Sequence, residues 1–236
     1  PNIETSSIDN AVKLINKAKK PFIVWGQGVI LGNAEVEFKN FVEKSGIPAA
    51  WTILGVSALP TSHELNVGMV GMHGNYGPNL LTNECDLLIA IGMRFDDRVT
   101  GDPKSYATQA KIIHLDIDPA EIDKNIKVEV PIIGDCKESL KLITDKIDKK
   151  SHSKWISKFD DLMKIEFDKV INSDLNPSKK GLTMGESIIA INEQTKGDAI
   201  IVTDVGQHQM VTHRYANFIK SKSNITSGGL GTMGFA

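Results

Sequence analysis

The chain has 236 residues, of which 41% are apolar and 24% are charged, and its formal net charge is −2. These proportions are typical of a folded globular protein, so a disordered chain and a collagen-like repeat are excluded. The charge balance creates no overall basic field, so we expect neither nucleic acid nor a membrane surface as a partner.

Helical and strand patterns alternate through the first part of the chain. A helix is predicted over 7–19, behind Ser7 as its N-cap. Asn33 is expected to cap a second helix that ends at Gly46, and a third helix is predicted over 137–147. The five short apolar strands predicted between these helices are 21–25, 47–53, 86–91, 111–117 and 130–133.

These strands lack the alternation of apolar and polar residues that a sheet with one solvated face shows. Strands of this kind, separated by helices, are typical of a parallel sheet covered by helices on both faces. We therefore predict a doubly wound, Rossmann-like α/β domain over residues 1–150.

A second α/β unit is predicted over 151–236. Its first element is an amphipathic helix over 153–171, followed by a polar connection over 172–181. Thr183 and Glu186 then form a capping-box pattern that opens another helix. The strands predicted for this unit are 199–203 and 223–227.

Two motifs follow strands of the first domain, where an open parallel sheet binds its ligands. Gly26–Gly32 has the spacing GxGxxxG, one residue longer than the dinucleotide fingerprint, and an ordinary tight turn explains it equally well. Arg94–Gly101 reads RFDDRVTG, with two arginines and two aspartates in five positions. Arginine forks suit a carboxylate or phosphate ligand, although a surface ion-pair network is the alternative.

Further strand ends offer weaker signals. Asp116 could accept hydrogen bonds from ribose hydroxyls, whereas Asp118 could be only a helix cap before a proline. Gly68–Gly74 is predicted to be a glycine- and methionine-rich loop that approaches a flat ligand closely. In the second unit, Asp204–His208 and Ser227–Gly234 follow strands and could hold a phosphate group, although an ordinary helix start explains the first equally well.

Cys85 and Cys136 are the only cysteines and lack the CxxC spacing of a zinc site. A reduced, cytoplasmic setting is therefore expected. The longest apolar run is far shorter than the ~20 residues that cross a bilayer. Because the sequence starts without Met and stops on a glycine-rich stretch, we expect it to be part of a longer protein.

Taken together, these motifs resemble the large, catalytic subunits of acetolactate synthases (acetohydroxyacid synthases), which are thiamine diphosphate enzymes. The resemblance runs in order along nearly the whole chain. It is carried by Gly68–Gly74, RFDDRVTG at 94–101, Ile112–Asp118, GQHQM at 206–210 and Thr226–Phe235. It implies a central FAD-binding domain over 1–150, followed over 151–236 by a linker helix and the first part of the diphosphate-binding domain.

The resemblance also implies site residues. Cofactor contacts to a flavin with no net redox role are implied for Gly26, Gln27, Gly28, Thr52, Ile53, Val70, Met72, His73, Gly92, Met93, Arg94, Asp96, Arg98, Val99, Asp116, Ile117, Gly134, Asp135, Cys136, Gln209, Met210, Gly228 and Gly229. Thiamine diphosphate contacts are implied for Val205, Gly206, Gln207, His208, Gly231 and Met233. Arg98 and Met72 are implied to bind substrate, and Cys136 is implied to be a neutral thiol.

The family's catalytic glutamate belongs to another domain, so no catalytic residue is expected in this chain. Its Mg²⁺ motif follows the SGGLGTMGF string in the family, so Gly197-Asp198-Ala199 is interpreted as a coincidence and no metal ligand is expected here. The implied activity condenses pyruvate with pyruvate or 2-ketobutyrate in a homo-oligomer, with or without a small regulatory subunit. The alternatives are another thiamine diphosphate enzyme, such as a pyruvate oxidase, and a non-catalytic nucleotide-binding module.

Overall fold

The computed structural model describes residues 3–178 and 181–236. Its helices are α1 (Thr5–Lys17), α2 (Gly28–Leu31), α3 (Glu35–Ser45), α4 (Tyr76–Thr82), α5 (Asp97–Thr100), α6 (Cys136–Lys146), α7 (Ser153–Glu166), α8 (Asn172–Leu175), α9 (Met184–Thr195) and α10 (Gln207–Tyr215). Its strands are β1 (Pro21–Trp25), β2 (Ala49–Trp51), β3 (Asn66–Met69), β4 (Leu87–Ile91), β5 (Lys111–Asp116), β6 (Val130–Ile133), β7 (Ile201–Thr203) and β8 (Asn224–Thr226). A 3₁₀ turn spans Pro119–Glu121 and a π-helical turn spans Phe167–Ile171.

The larger sheet contains six strands in the order β3-β2-β1-β4-β5-β6, all parallel. From β1 the chain adds β2 and then β3 on one side of the sheet. It then returns to the other side of β1, where it adds β4, β5 and β6 in turn. This strand order is that of doubly wound dinucleotide-binding domains. The predicted parallel, Rossmann-like fold is therefore confirmed, with one strand more than the sequence indicated.

Both faces of the sheet are buried, which explains why its strands do not alternate. In β1, Phe22 and Val24 contribute to the core shared with α4 and α7. Ile23 and Trp25 contribute to the core on the other face, beneath α1, α3 and α6. Burying a large apolar side chain of this kind is worth roughly 1.5–3 kcal/mol, so both layers of helices stabilise the sheet.

Helix α7 packs on the first sheet. The ring of Phe159 lies 5.3 Å from that of Phe22. The indole Nε1 of Trp155 donates to the carbonyl oxygen of Pro21 at 2.8 Å. The helix assigned from the sequence to the second unit thus covers the first sheet, and the division between 1–150 and 151–236 stays a prediction.

Strands β7 and β8 pair in parallel in a separate sheet. Helix α9 opens with the predicted capping box: the Thr183 hydroxyl accepts from the Glu186 amide at 3.1 Å, and the Thr183 amide donates to the Glu186 carboxylate at 2.8 Å. The Asn192 side chain then joins α9 to the end of α10, donating to the carbonyl of Tyr215 at 2.6 Å and accepting from the amide of Asn217 at 3.0 Å.

Two helix starts differ from the prediction. Ser7 lies inside α1, whose N-cap is Glu4, and Ala34 rather than Asn33 is the N-cap of α3. Neither cap residue uses a side-chain hydrogen bond, so a capping side chain does not set these starts. Helix α3 ends at Gly46 as predicted, because its φ of 63° suits glycine.

The segments between the predicted elements also contain differences. The strand predicted over 47–53 is only the three residues of β2, and the connection predicted over 172–181 contains α8; Lys179 and Lys180 within it lie outside the described residues. The sequence did not predict β3 or α4. Strand β3 is a short edge strand containing Asn66 and Gly68, and α4 contains a glycine and a proline, so both carry weak propensities.

Candidate functional site

The strand order of the larger sheet reverses between β1 and β4. In open α/β sheets this switch point opens a crevice beyond the carboxyl ends of the two strands, where ligands bind. Gly26, Gln27 and Gly28 follow β1, and Gly92, Met93 and Arg94 follow β4. The structure therefore brings two of the predicted cofactor-binding segments to this crevice.

Glycine allows these two segments to touch through their backbones. The amide of Gly28 donates to the carbonyl of Gly92 at 3.0 Å. A Cβ atom on Gly92 would lie 2.6 Å from the Gly28 Cα, and the φ of Gly92 is 58°. At the floor of the crevice the two backbone segments are consequently in direct contact, with no room for a side chain between them.

The loop after β4 holds two arginines in different settings. Arg94 lies 3.7 Å from the carboxylate of Asp96, and one oxygen of that carboxylate is buried without a hydrogen-bond partner among the described residues. Arg98 lies 3.9 Å from the carboxylate of Asp97, and its side chain is 72% exposed. Asp96 is therefore able to accept a further hydrogen bond, and the guanidinium of Arg98 is available to an anion.

Backbone contacts join this loop to the loop after β3. The amide of Met72 donates to the carbonyl of Arg98 at 2.8 Å. The Asn79 side chain accepts from the Gly71 amide and donates to the Gly71 carbonyl, both at 2.8 Å. The two predicted substrate-binding residues thus border one cleft of about 360 Å³, lined by Gly71, Met72, Asn79, Thr82, Asn83, Asp97, Arg98, Val99, Thr100, Gly101 and Tyr106.

At the ends of β5 and β6, the Asp116 side chain accepts from the amide of Asp118 at 3.0 Å, and its carbonyl accepts from the amide of Gly134, also at 3.0 Å. Asp118 caps the 3₁₀ turn by accepting from the amide of Ala120, so the structure shows the helix-cap role considered for it. Asp135 caps α6. The predicted cofactor residues Asp116, Gly134 and Asp135 thus lie together, and Ile117 beside them is exposed.

Two buried titratable groups near the crevice are neutral. Burial lowers the pKa of His114, against the opposing effects of its hydrogen bond to the Met93 carbonyl at 2.8 Å and of the nearby Asp116 carboxylate. Burial, with a smaller effect of the Asp135 carboxylate, raises the pKa of Cys136 to about 12. A thiol with that pKa is protonated at neutral pH and is not a reactive nucleophile.

The second unit contacts the first next to Ile53. A Cβ atom on Gly228 would lie 2.7 Å from the Cδ2 of Leu54 and 3.2 Å from the Cγ2 of Ile53, so the backbone of Gly228 packs against this turn. Gln209 is buried and donates to the hydroxyl of Thr226 at 2.6 Å. Of the predicted flavin residues of the second unit, Gly228 therefore lies near Ile53 and Gln209 contacts Thr226 at the end of β8, whereas Asp116 ends β5 on the other half of the sheet.

Asp204, the first residue of the segment predicted to hold a phosphate group, organises the two loops that contain the remaining predicted residues. Its carboxylate accepts from the amides of Gly234 at 2.7 Å, Phe235 at 3.2 Å and Val205 at 3.0 Å. These backbone hydrogen bonds lower the pKa of Asp204, so it stays ionised. They bring the segment from Gly231 to Gly234 beside the start of α10, where Gly206, Gln207 and His208 lie, and Met233 is exposed.

The sequence also did not predict the ion pair between Glu166 and Arg214. The two side chains approach to 3.0 Å, with only 4% of the Glu166 side chain and 21% of the Arg214 side chain exposed. The amphipathic pattern of 153–171 did not identify Glu166, because charged residues are common along an amphipathic helix and nothing distinguishes this one in the sequence. The start of α4 and helix α10, both far from Glu166 along the chain, pack against this carboxylate and bury it.

Residues 3–178 and 181–236, the ranges that the structure describes, contain neither a metal-binding cluster nor a membrane-spanning helix. No group of three or more His, Cys, Asp or Glu side chains in these ranges could hold a metal ion. Likewise, no helix in these ranges combines the length and the apolar character that a membrane-spanning helix requires.

Residues 8–143 match the family model described as thiamine pyrophosphate enzyme, central domain. The chain is 43% identical to the probable acetolactate synthase large subunit of Methanococcus aeolicus, over 97% of this chain and 40% of that protein. It is 43% identical to the acetolactate synthase large subunit of Corynebacterium glutamicum, over 97% of this chain and 37% of that protein. It is 41% identical to the acetolactate synthase large subunit of Lactococcus lactis, over 94% of this chain and 38% of that protein. The chain thus spans between 37% and 40% of the length of these relatives.

Proposed function

Because the chain belongs to the thiamine pyrophosphate enzyme family, as a central domain, we propose that the protein containing it is an acetolactate synthase large subunit. Its reaction condenses pyruvate with pyruvate or 2-ketobutyrate after a decarboxylation. The observation that supports this most directly is the backbone contact between Met72 and Arg98, which joins the loop that holds the exposed Arg98 to the loop after β3. A 2-ketoacid carboxylate is the anion that this arginine would bind.

The crevice fits a flavin nucleotide. Gly28 and Gly92 pack backbone to backbone and stay partly exposed, so a flat or phosphorylated ligand would meet backbone there. The unpartnered oxygen of Asp96 would accept a hydrogen bond from a ligand hydroxyl, since a buried acceptor without a partner is costly. The residues that would hold FAD are those for which the sequence resemblance implies flavin contacts, and they lie on both sides of the crevice.

The start of α10 fits the diphosphate of thiamine diphosphate. The N-terminus of a nine-residue helix offers free amides to an anion, and the segment that Asp204 holds, from Gly231 to Gly234, borders it. Val205, Gly206, Gln207, His208, Gly231 and Met233 would hold the cofactor. When bound, thiamine diphosphate supplies the electron sink for decarboxylating a 2-ketoacid.

Arg98 would position the second 2-ketoacid. Its guanidinium donates two parallel hydrogen bonds to a carboxylate, which fixes both the position and the orientation of the substrate. Met72, 62% exposed on the neighbouring loop, would pack against the apolar part of that substrate. We propose no catalytic residue and no Mg²⁺ ligand among the residues of this chain.

The proposal extends to the setting of the whole protein. We propose a homo-oligomer in the cytoplasm, with or without a small regulatory subunit, and Mg²⁺ as the ion that accompanies the diphosphate. Both cysteines are buried thiols, as a reduced compartment allows.

The test uses the purified full-length protein. We expect acetolactate to form from pyruvate when thiamine diphosphate, Mg²⁺ and FAD are all present, and activity to disappear when thiamine diphosphate is omitted. Formation of acetate with consumption of oxygen would instead identify a pyruvate oxidase. Binding of an adenine nucleotide without turnover of any 2-ketoacid would identify a nucleotide-binding module.

A further inference from the structure

Glu166 holds the start of helix α4 in addition to its ion pair with Arg214. One carboxylate oxygen accepts from the amide of Tyr76, the first residue of α4, at 2.9 Å. Both oxygens lie 3.4 Å from the side-chain nitrogen of Asn75. The N-cap residue Asn75 makes no side-chain cap hydrogen bond of its own, so a residue from another helix supplies the acceptor.

From Asn75 the contacts continue into the loop that contains Met72. The side-chain oxygen of Asn75 accepts from the amide of Met69 at 2.9 Å, so it fixes the start of the loop. The amide of Asn75 donates to the carbonyl of Met69 at 2.8 Å, which closes the loop at its other end. Arg214 lies 3.5 Å from the carbonyl of Gly74.

Glu166 lies where α7 changes into the π-helical turn of Phe167–Ile171. Turns of this kind are rare and change the direction in which side chains point. Arg214 lies on α10, the helix that begins with Gly206 and Gln207. A single buried carboxylate therefore contacts a loop of the first domain and a helix of the second.

The burial of this pair makes stability a poor explanation for it. The desolvation of the buried Glu166 carboxylate and the partly buried Arg214 guanidinium offsets much of their attraction, so apolar residues in their place would stabilise the protein about as well. The best-attested use of such pairs is to fix the position of one element relative to another.

We infer that Glu166 and Arg214 are positioning residues that hold the loop Gly71–Gly74 in a fixed position relative to helix α10. Through this loop they set the position of Met72, whose amide is bonded to the carbonyl of Arg98. The inference rests on the proposed function in one respect, because it takes this loop and α10 to be the two sides of the binding site.

The first measurement is amide hydrogen exchange in the full-length protein, which does not depend on activity. Glu166→Gln keeps an acceptor for Tyr76 but removes the charge that holds Arg214. We expect amides of residues 71–76 to exchange about tenfold faster, the equivalent of one hydrogen bond to a charged group. Amides of β1 and β4 should exchange as in the wild type.

The second measurement is steady-state kinetics with pyruvate. We expect Glu166→Gln to raise KM about tenfold and to leave kcat within about twofold, because the loop affects binding more than chemistry. If the wild-type protein forms no acetolactate, the proposed function fails, while the exchange measurement still decides the positioning role.

The matched control is Glu84→Gln. The Lys158–Glu84 pair, at 2.8 Å, also joins α7 to the end of α4, but its side chains are about half exposed and lie away from the loop. We expect the control to alter neither exchange at 71–76 nor KM. Unchanged exchange in Glu166→Gln, or an equal effect in both variants, would overturn the inference. If Glu166→Gln does not fold, Arg214→Lys with the same readouts takes its place, and we expect a smaller acceleration confined to the same loop.

Discussion

The amide of Gly28 donates a hydrogen bond to the carbonyl oxygen of Gly92, at 3.0 Å, across the point where the strand order of the sheet reverses. The two residues follow β1 and β4, which lie far apart in the sequence but side by side in the sheet. This contact fixes the depth of the crevice proposed to hold the flavin. It also makes glycine necessary at both positions.

Gly92→Ala is expected to destabilise the protein and to prevent FAD from binding in the crevice. The left-handed backbone of Gly92 costs an alanine about 1–2 kcal/mol, and the Cβ would in addition lie 2.6 Å from the Gly28 Cα. Denaturant titration should show the loss of stability, and absorbance of the purified full-length protein should show loss of FAD. Gly181→Ala is the control, since its φ of 124° also disfavours alanine but nothing lies within 4 Å of its Cβ position and it belongs to no proposed binding site; equal loss of FAD in both variants would contradict the argument.

Arg98→Ala is expected to lower carboligation far more than decarboxylation of pyruvate. Removing hydrogen bonds between a guanidinium and a carboxylate costs roughly 1.5–3 kcal/mol, which is about 10- to 150-fold in the acceptor step. The measurement compares acetolactate formation and acceptor selectivity with release of carbon dioxide.

The variant Arg94→Ala distinguishes the substrate-binding role of Arg98 from a role in flavin binding. Arg94, not Arg98, lies beside Asp96 in the structure, so its loss should loosen FAD and impair both half-reactions alike. Arg98→Ala should retain most of its flavin, because Arg98 is one of many implied flavin contacts and does not lie beside Asp96. The substrate role is refuted if Arg98→Ala loses FAD and both half-reactions fall equally.

Stability is expected to fall as the pH drops from about 7 to 5, through the unperturbed histidine pKa of about 6.5. Burial lowers the pKa of His114 and of His213 in the folded state, so below that pH the unfolded chain binds protons that the folded chain does not. Each histidine contributes at most about 1.4 kcal/mol per pH unit. Urea midpoints of wild type and His114→Gln should differ in slope over this range; parallel slopes would rule out the contribution of His114.

The isolated 236-residue segment is expected to form no acetolactate and to bind FAD only weakly. Ordering its loops around a flavin that lacks part of its contacts costs more than the remaining contacts return. Calorimetry with FAD, compared with the full-length protein, measures the difference. Equally tight binding by the segment would show that its own residues suffice.

The parallel sheet and the strand ends were predictable because they depend on local pattern. Uninterrupted apolar runs such as Leu87–Ile91 are buried on both faces, and the capping box at Thr183 is a local hydrogen-bond motif. The edge strand β3 and helix α4 were not predictable in this way. Their residues have weak propensities. They are held by side-chain contacts of Asn75 and Asn79 to the loop before α4 and by Glu166, which lies 90 residues from Tyr76 in the sequence.

The sequence by itself determined the fold class, the order of the glycine-rich turns, the RFDDRVTG loop and the family to which they point. Only the tertiary structure decided which of those segments meet: Gly28 with Gly92, Met72 with Arg98, and Gly228 with Ile53. It also decided that Glu166 and Arg214 are a buried pair. The physical reason is that pattern and propensity describe neighbours along the chain, whereas hydrogen bonding and burial depend on residues that packing brings together from distant positions.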